Sequence, residues 1–256
     1  MNRVSMPVVL ASLALAGLLS ASTLLAQAPA ATAETKATPA TSVEHKSSEY
    51  NPKLDWPWLE RFKEADLTLG PPAMGDDRVV FMGDSITQGW KIGDSFPGKP
   101  YINRGISGQT TPQMLLRFRQ DVIALKPRAV VILGGINDIA GNTGPMTLEE
   151  TEDNLASMAD LATANHIRVV LCSVLPALDL PWRPGTTPAP KVMALNAWIK
   201  AYAAERSYVY VDYYTAMRDE HDGLPAKLSG DGVHPNPAGY AVMTPLAEAG
   251  IEKALK

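Results

Sequence analysis

Cysteine is nearly absent: Cys172 is the single one in 256 residues. That excludes a disulfide framework within the chain and any zinc finger built on cysteine pairs. Histidine is scarce as well, with four (His45, His166, His221, His234), scattered and without the H-E-x-x-H spacing of a zinc protease. An excess of positive charge is missing: 23 Lys and Arg face 27 Asp and Glu, for a net charge of −4. With no basic run either, a nucleic-acid partner is not expected. Charge of any sign is missing from residues 6–26, which are almost wholly apolar or small. Over the whole chain the composition is that of a folded protein, since 46% hydrophobic residues argue against disorder throughout.

The uncharged stretch follows Arg3 and ends in Leu24-Leu25-Ala26-Gln27-Ala28. A basic start, an apolar middle and a small-residue end are the marks of a secretory signal peptide over residues 1–26, with cleavage after Ala26. The competing reading is an uncleaved membrane anchor, which the many Ala, Ser and Gly residues weaken. Export to the periplasm or medium is expected, with no stable membrane insertion after processing. Residues 27–47 are rich in Ala, Thr and Pro and read as a flexible linker. The remaining residues, 48–256, contain no internal repeat and no second linker, and form one domain.

Within that domain, short apolar runs alternate with helical patterns. Residues 78–82 (RVVFM), 129–133 (AVVIL), 168–174 (RVVLCSV) and 208–212 read as buried strands, and a weaker one begins over residues 101–103. Thr111-Pro112 opens a helix to about Leu125, with Thr111 as its cap. Thr147 and Glu150 make a capping box for a helix to about Asn165. A further helix covers about residues 191–206, and Asn236-Pro237 starts the last. The alternation predicts an α/β fold: a three-layer α/β/α sandwich around a mostly parallel five-stranded sheet. In such sheets ligands bind at the carboxyl ends of the strands.

Those ends carry Gly83-Asp84-Ser85-Ile86, Gly105-Ile106-Ser107-Gly108 and Gly135-Ile136-Asn137-Asp138, and Asp231-Gly232-Val233-His234 precedes the last helix. Each alone has a plain alternative: a serine after a strand caps a helix, and an asparagine after Gly-Gly makes a turn. Together they supply a nucleophile, a base, an orienting carboxylate and oxyanion donors, the parts acyl transfer requires.

The four segments, in this order, resemble the sequence blocks of the SGNH (GDSL-type) esterase and lipase family, with Ile86 where leucine is common. The overall pattern is closer to bacterial secreted acylhydrolases and platelet-activating-factor-acetylhydrolase-like members than to long plant lipases. The resemblance implies the family's flavodoxin-like fold and a serine esterase. Ser85 would be the nucleophile, His234 the base and Asp231 its orienting partner. The Ser85 N–H, Gly108 N–H and Asn137 side chain would form the oxyanion hole. No metal or cofactor is implied. Asp84 and Asp138 read as turn-stabilising carboxylates, and Cys172 as a buried small hydrophobe.

For the substrate, residues 175–191 form a long Pro-rich loop carrying Trp182 and Arg183, and Trp90 follows Ser85 by five residues. Trp90, Trp182 and Arg183 are candidate pocket residues, whereas Trp56 and Trp58 read as pinning the start of the domain to the core. The expected partner is a small-molecule or carbohydrate ester, with a short acyl group, acetyl above all. A lysophospholipid or thioester substrate, acyl transfer by the same site, and a non-catalytic binding protein are the alternatives.

Overall fold

The computed structural model describes residues 50–256. The signal peptide assigned to residues 1–26 and the linker assigned to residues 27–47 lie outside the described residues. In chain order the elements are α1 (Lys63–Leu69), β1 (Val79–Gly83), α2 (Ser85–Gln88), α3 (Ile92–Ser95), β2 (Tyr101–Gly105) and α4 (Thr111–Asp121). A 3₁₀ turn over Ile123–Leu125 leads to β3 (Ala129–Leu133), α5 (Ile136–Ile139), α6 (Leu148–Ala164) and β4 (Arg168–Cys172). They are followed by α7 (Ala189–Glu205), β5 (Val209–Val211), α8 (Tyr213–Met217) and α9 (Pro237–Leu255).

The sheet is entirely parallel, in the order β2-β1-β3-β4-β5. Strand side chains alternate between its faces, so each strand feeds two cores. Val80, Met82, Val130, Ile132, Val169 and Leu171 meet α4, α6 and α7 on one face. Val79, Phe81, Val131, Val170 and Val211 meet Met243, Ala247 and Ile251 of α9 on the other. Burial on both faces explains why these strands read as unbroken apolar runs rather than alternating ones. The chain passes from β1 to β2 on one side and returns to place β3 on the other side of β1. The crevice at this reversal opens at the carboxyl ends of β1 and β3.

Several boundaries differ from the sequence reading, each for a local reason. The cap of α4 is Thr110, not Thr111: Thr110 and Gln113 form the capping box, and Thr111 is the first helical residue. Strand β4 stops at Cys172, because the Asn196 amide takes both the N–H and the C=O of Val174, at 2.7 and 2.9 Å. Strand β5 stops at Val211, since Asp212 turns to cap α8 by accepting from the Thr215 N–H. Helix α1 and the one-turn helices are too short to show a hydrophobic period.

Candidate active site

Each strand end delivers one part of the site. At the end of β1, Asp84 caps α2 by accepting from the Ile86 N–H, which places Ser85 on the first turn. Gly83 is required there by close packing: a Cβ would lie 2.1 Å from Thr87 Oγ1 and 2.7 Å from the Leu133 carbonyl. After β2 the chain turns at Gly108, whose φ of +76° suits a glycine. After β3, Asn137 and Asp138 sit buried on α5.

The fourth segment is shaped by its own carboxylate. Asp231 Oδ1 accepts from the backbone N–H groups of Val233 and His234, at 2.9 and 2.8 Å, and folds residues 231–234 into a tight turn. Ser229 Oγ adds a hydrogen bond to the same oxygen. The turn is carried to the rim by α9, capped by Asn236, and Tyr240 on its first turn donates to the Ile86 carbonyl at 2.8 Å. That bond ties the histidine-bearing element to the serine-bearing one across 154 residues of sequence.

As a result three side chains form one hydrogen-bonded line. Asp231 Oδ2 lies 2.6 Å from His234 Nδ1, and His234 Nε2 lies 2.9 Å from Ser85 Oγ. Burial pushes the Asp231 carboxyl upward, but the His234 ring and the two backbone N–H groups outweigh it and hold the group well below the usual carboxylate range. An ionised carboxylate only accepts, so the ring proton sits on Nδ1 and Nε2 accepts from the Ser85 hydroxyl. This polarity can draw a proton from Ser85 as its oxygen attacks.

Asn137 lies beside this line. Its Nδ2 donates to the Gln109 carbonyl at 3.0 Å and faces Asp84 Oδ2 at 3.4 Å. Its Oδ1 accepts from Asn142 Nδ2 at 2.9 Å, and Asn142 also donates to the Gly108 carbonyl at 3.2 Å. Asn142 was not singled out from the sequence. Its only signal was a polar side chain five residues beyond Asn137 in a Gly-rich turn.

Among the remaining candidates, some sit where the sequence reading expects them and others do not. Trp90 is 2% exposed and belongs to the core, packed on Phe81, Phe96 and Tyr240 with its N–H on Ser95; it is not a wall of the site. Its contribution is to brace Tyr240. Trp182 is beside the site, its ring 5.9 Å from that of His234 and its N–H on Asn142 Oδ1 at 3.0 Å. Arg183 is exposed and donates to the Gly141 carbonyl at 3.0 Å, and it is not among the residues that line the cleft. Trp56 and Trp58 do not enter either core; both line a cleft that runs along Gly108 and Asn142 to Trp182. Asp138 does more than support its own turn, since it accepts from both the N–H and the hydroxyl of Thr111 and so caps α4 from a distance. Cys172 is buried, and burial pushes its thiol up to about 12, which leaves it inert at neutral pH.

Residues 81–242 match the model of the GDSL-like lipase/acylhydrolase family. The chain belongs to that family. A solved GDSL-like lipase from Bacteroides thetaiotaomicron VPI-5482 is 47% identical, with a TM-score of 0.76, over 78% of this chain and all of that one. An acetylxylan esterase from Geobacillus stearothermophilus is 29% identical over 59% of this chain and 72% of its own length. Esterase TesA from Pseudomonas aeruginosa is 29% identical over 63% of this chain and 77% of its own length. As a GDSL-like acylhydrolase, the protein is a carboxylic ester hydrolase with the α/β fold of that family. Among the described residues, no helix is long and apolar enough to cross a membrane.

Proposed function

We propose that this acylhydrolase is a serine esterase for short-chain esters, acetyl esters of carbohydrates above all, working through an acyl-serine intermediate. The observation that carries the reading is the continuous line Asp231–His234–Ser85, at 2.6 and 2.9 Å. Ser85 Oγ attacks the ester carbonyl while its proton passes to His234 Nε2, and the carbon–oxygen double bond opens to an oxyanion. The Ser85 N–H, the Gly108 N–H and Asn137 Nδ2, which exchanges its long 3.4 Å contact with Asp84 for the oxyanion, receive that charge. Collapse breaks the acyl–oxygen bond, and His234 returns its proton to the departing alcohol. Water then repeats the sequence on the acyl-serine and releases the acid. Asp231 remains ionised throughout and stabilises the imidazolium.

The preference for a small acyl group, acetyl above all, rests on the similarity to an acetylxylan esterase. The same similarity supports an acylated carbohydrate as the substrate. The signal-peptide pattern of residues 1–26 supports a substrate met outside the cytoplasm.

The test is hydrolysis of p-nitrophenyl esters from acetate to palmitate by the purified enzyme beside Ser85→Ala. Turnover is expected to be greatest for acetate or butyrate, to fall with chain length and to vanish in the variant. A maximum at palmitate would replace the short-chain reading with a lipid one, and full activity in Ser85→Ala would move the nucleophile elsewhere.

A further inference from the structure

Residues 50–62 precede the first strand and contribute nothing to either core, yet they are held by buried polar side chains. Three glutamines reach three of the segment's backbone carbonyls. Gln109 Nε2 donates to Pro57 at 2.7 Å, Gln113 Nε2 to Trp56 at 2.8 Å and Gln120 Nε2 to Leu59 at 2.5 Å. Gln109 and Gln113 are buried, and Gln109 is fixed in turn by the Arg117 Nε–H at 2.6 Å. A segment that only leads into a linker ordinarily frays. This one is clamped in place next to Gly108.

The clamp positions aromatic rings. Tyr50, Trp56 and Trp58 line a cleft of about 560 Å³ that also takes in Gly108, Asn142 and Trp182. Trp58 is already engaged, stacked on Tyr50 at 4.5 Å with the Arg61 guanidinium 5.3 Å from its ring. Trp56 is 38% exposed, and among the described residues no ring or cation covers it. Trp182, 39% exposed, has its ring orientation fixed by the bond to Asn142. The cleft therefore joins the His234 end of the site to an open indole, with the Ser107 and Thr143 hydroxyls along it.

The charge of the lining narrows the ligand. Every side chain that lines the cleft is uncharged, and the Arg61 guanidinium is packed on Trp58, so the lining offers no cation to a phosphate or to the phosphates of a coenzyme thioester. Open aromatic faces beside hydroxyls and amides match a neutral sugar ring, which has an apolar face and a hydroxyl rim. We propose that this cleft is the leaving-alcohol subsite and that it takes a neutral pyranose ring stacked on Trp56. The inference rests on the serine-esterase reading and adds to it the surface that reads the alcohol.

The test compares two acetyl esters, ethyl acetate and an O-acetylated methyl pyranoside, in the full chain and in Trp56→Ala and Trp56→Phe. The ring can be removed without undocking the segment, since Gln113 holds the Trp56 backbone carbonyl. The ratio of kcat/KM for the pyranoside to that for ethyl acetate should fall about tenfold in Trp56→Ala, through KM, and recover largely in Trp56→Phe. An unchanged ratio overturns the subsite, whether both rates hold or both fall together. A second arm titrates Ser85→Ala with the same pyranoside and follows tryptophan fluorescence. Binding weakened by adding Trp56→Ala supports the subsite, and equal binding overturns it. Failure of the parent enzyme to hydrolyse ethyl acetate would count against the esterase reading instead, because the titration reads the ring without turnover.

Discussion

Asn142 donates to Oδ1 of Asn137 at 2.9 Å, and this bond, together with the Gln109 carbonyl that accepts from Nδ2 at 3.0 Å, sets which way the Asn137 amide faces. The polarity is set from outside. An indole N–H can only donate, so Trp182 selects Oδ1 of Asn142 as its acceptor and turns the Asn142 amide nitrogen inward. Both amide protons of Asn142 are then used, on Asn137 Oδ1 and on the Gly108 carbonyl. Two groups assigned to the oxyanion are thus held by one side chain. Asn142→Ala should lower kcat about ten- to a hundredfold, part of the loss typical of a missing oxyanion donor, with KM little changed. Steady-state kinetics beside a thermal melt would decide it; a normal kcat would mean that Asn137 is oriented without help.

Asp231 serves two purposes with its two oxygens, and a single substitution separates them. In Asp231→Asn the carbonyl oxygen can keep the backbone bonds of Val233 and His234, so the turn survives. The amide nitrogen would face His234 Nδ1 and favour the tautomer with its proton on Nε2, which cannot accept from Ser85. The expected loss in kcat is roughly three to four orders of magnitude, with a melting temperature within a few degrees of the parent. A rate within tenfold of the parent would show that another group orients the ring.

The fold was open to sequence reading because its strands are buried on both faces, and runs such as AVVIL at 129–133 have no other stable home. Ser85, Gly108 and Asn137 could be named because each follows a strand end, where the apolar pattern breaks off, and Asp231 and His234 because their three-residue spacing stands just before the last helix. Asn142, Trp56 and the three glutamines gave no such signal. Their roles are contacts across tens of residues: 57 separate Gln113 from the Trp56 carbonyl. Trp90 misled for the converse reason, since closeness to Ser85 in sequence says nothing about which side of a short helix faces the core.

Asp84 makes stability depend on pH in a direction opposite to most carboxylates. Burial pushes it up to about 7, against the lowering effect of the Ile86 N–H. An unfolded carboxyl titrates near ~4, so between about pH 4 and 7 the folded chain keeps a proton that the unfolded chain has released. Stability from this group therefore falls as pH rises through that window. Asp138, raised by burial to about 6, adds to the slope below pH 6. Asp84→Asn cannot ionise, so its melting temperature relative to the parent should rise from pH 5 to pH 8. Parallel melting curves across that range would place the Asp84 pKa outside it.

Arg117 is fully buried and spends its guanidinium on three partners: Asp121 at 2.9 Å, Gln109 at 2.6 Å and the Gly83 carbonyl at 2.9 Å. Two of these lead toward the site, since Gly83 ends β1 one residue before Asp84 and Gln109 follows Gly108. The third is an ion pair with a carboxylate that is itself fully buried and has one oxygen, Oδ1, without a partner. Removing only the cation leaves that charge uncompensated, so Arg117→Met should cost about 3–5 kcal/mol in urea unfolding. Removing both charges avoids the penalty, so Arg117→Met with Asp121→Leu should be more stable than Arg117→Met alone. In both variants the Gly83 carbonyl keeps the Ile106 N–H but loses the guanidinium, and Gln109 Oε1 loses its donor, which keeps the double variant below the parent. If the two substitutions instead add, the ion pair contributes nothing specific, and Arg117 acts only as a donor to Gly83 and Gln109.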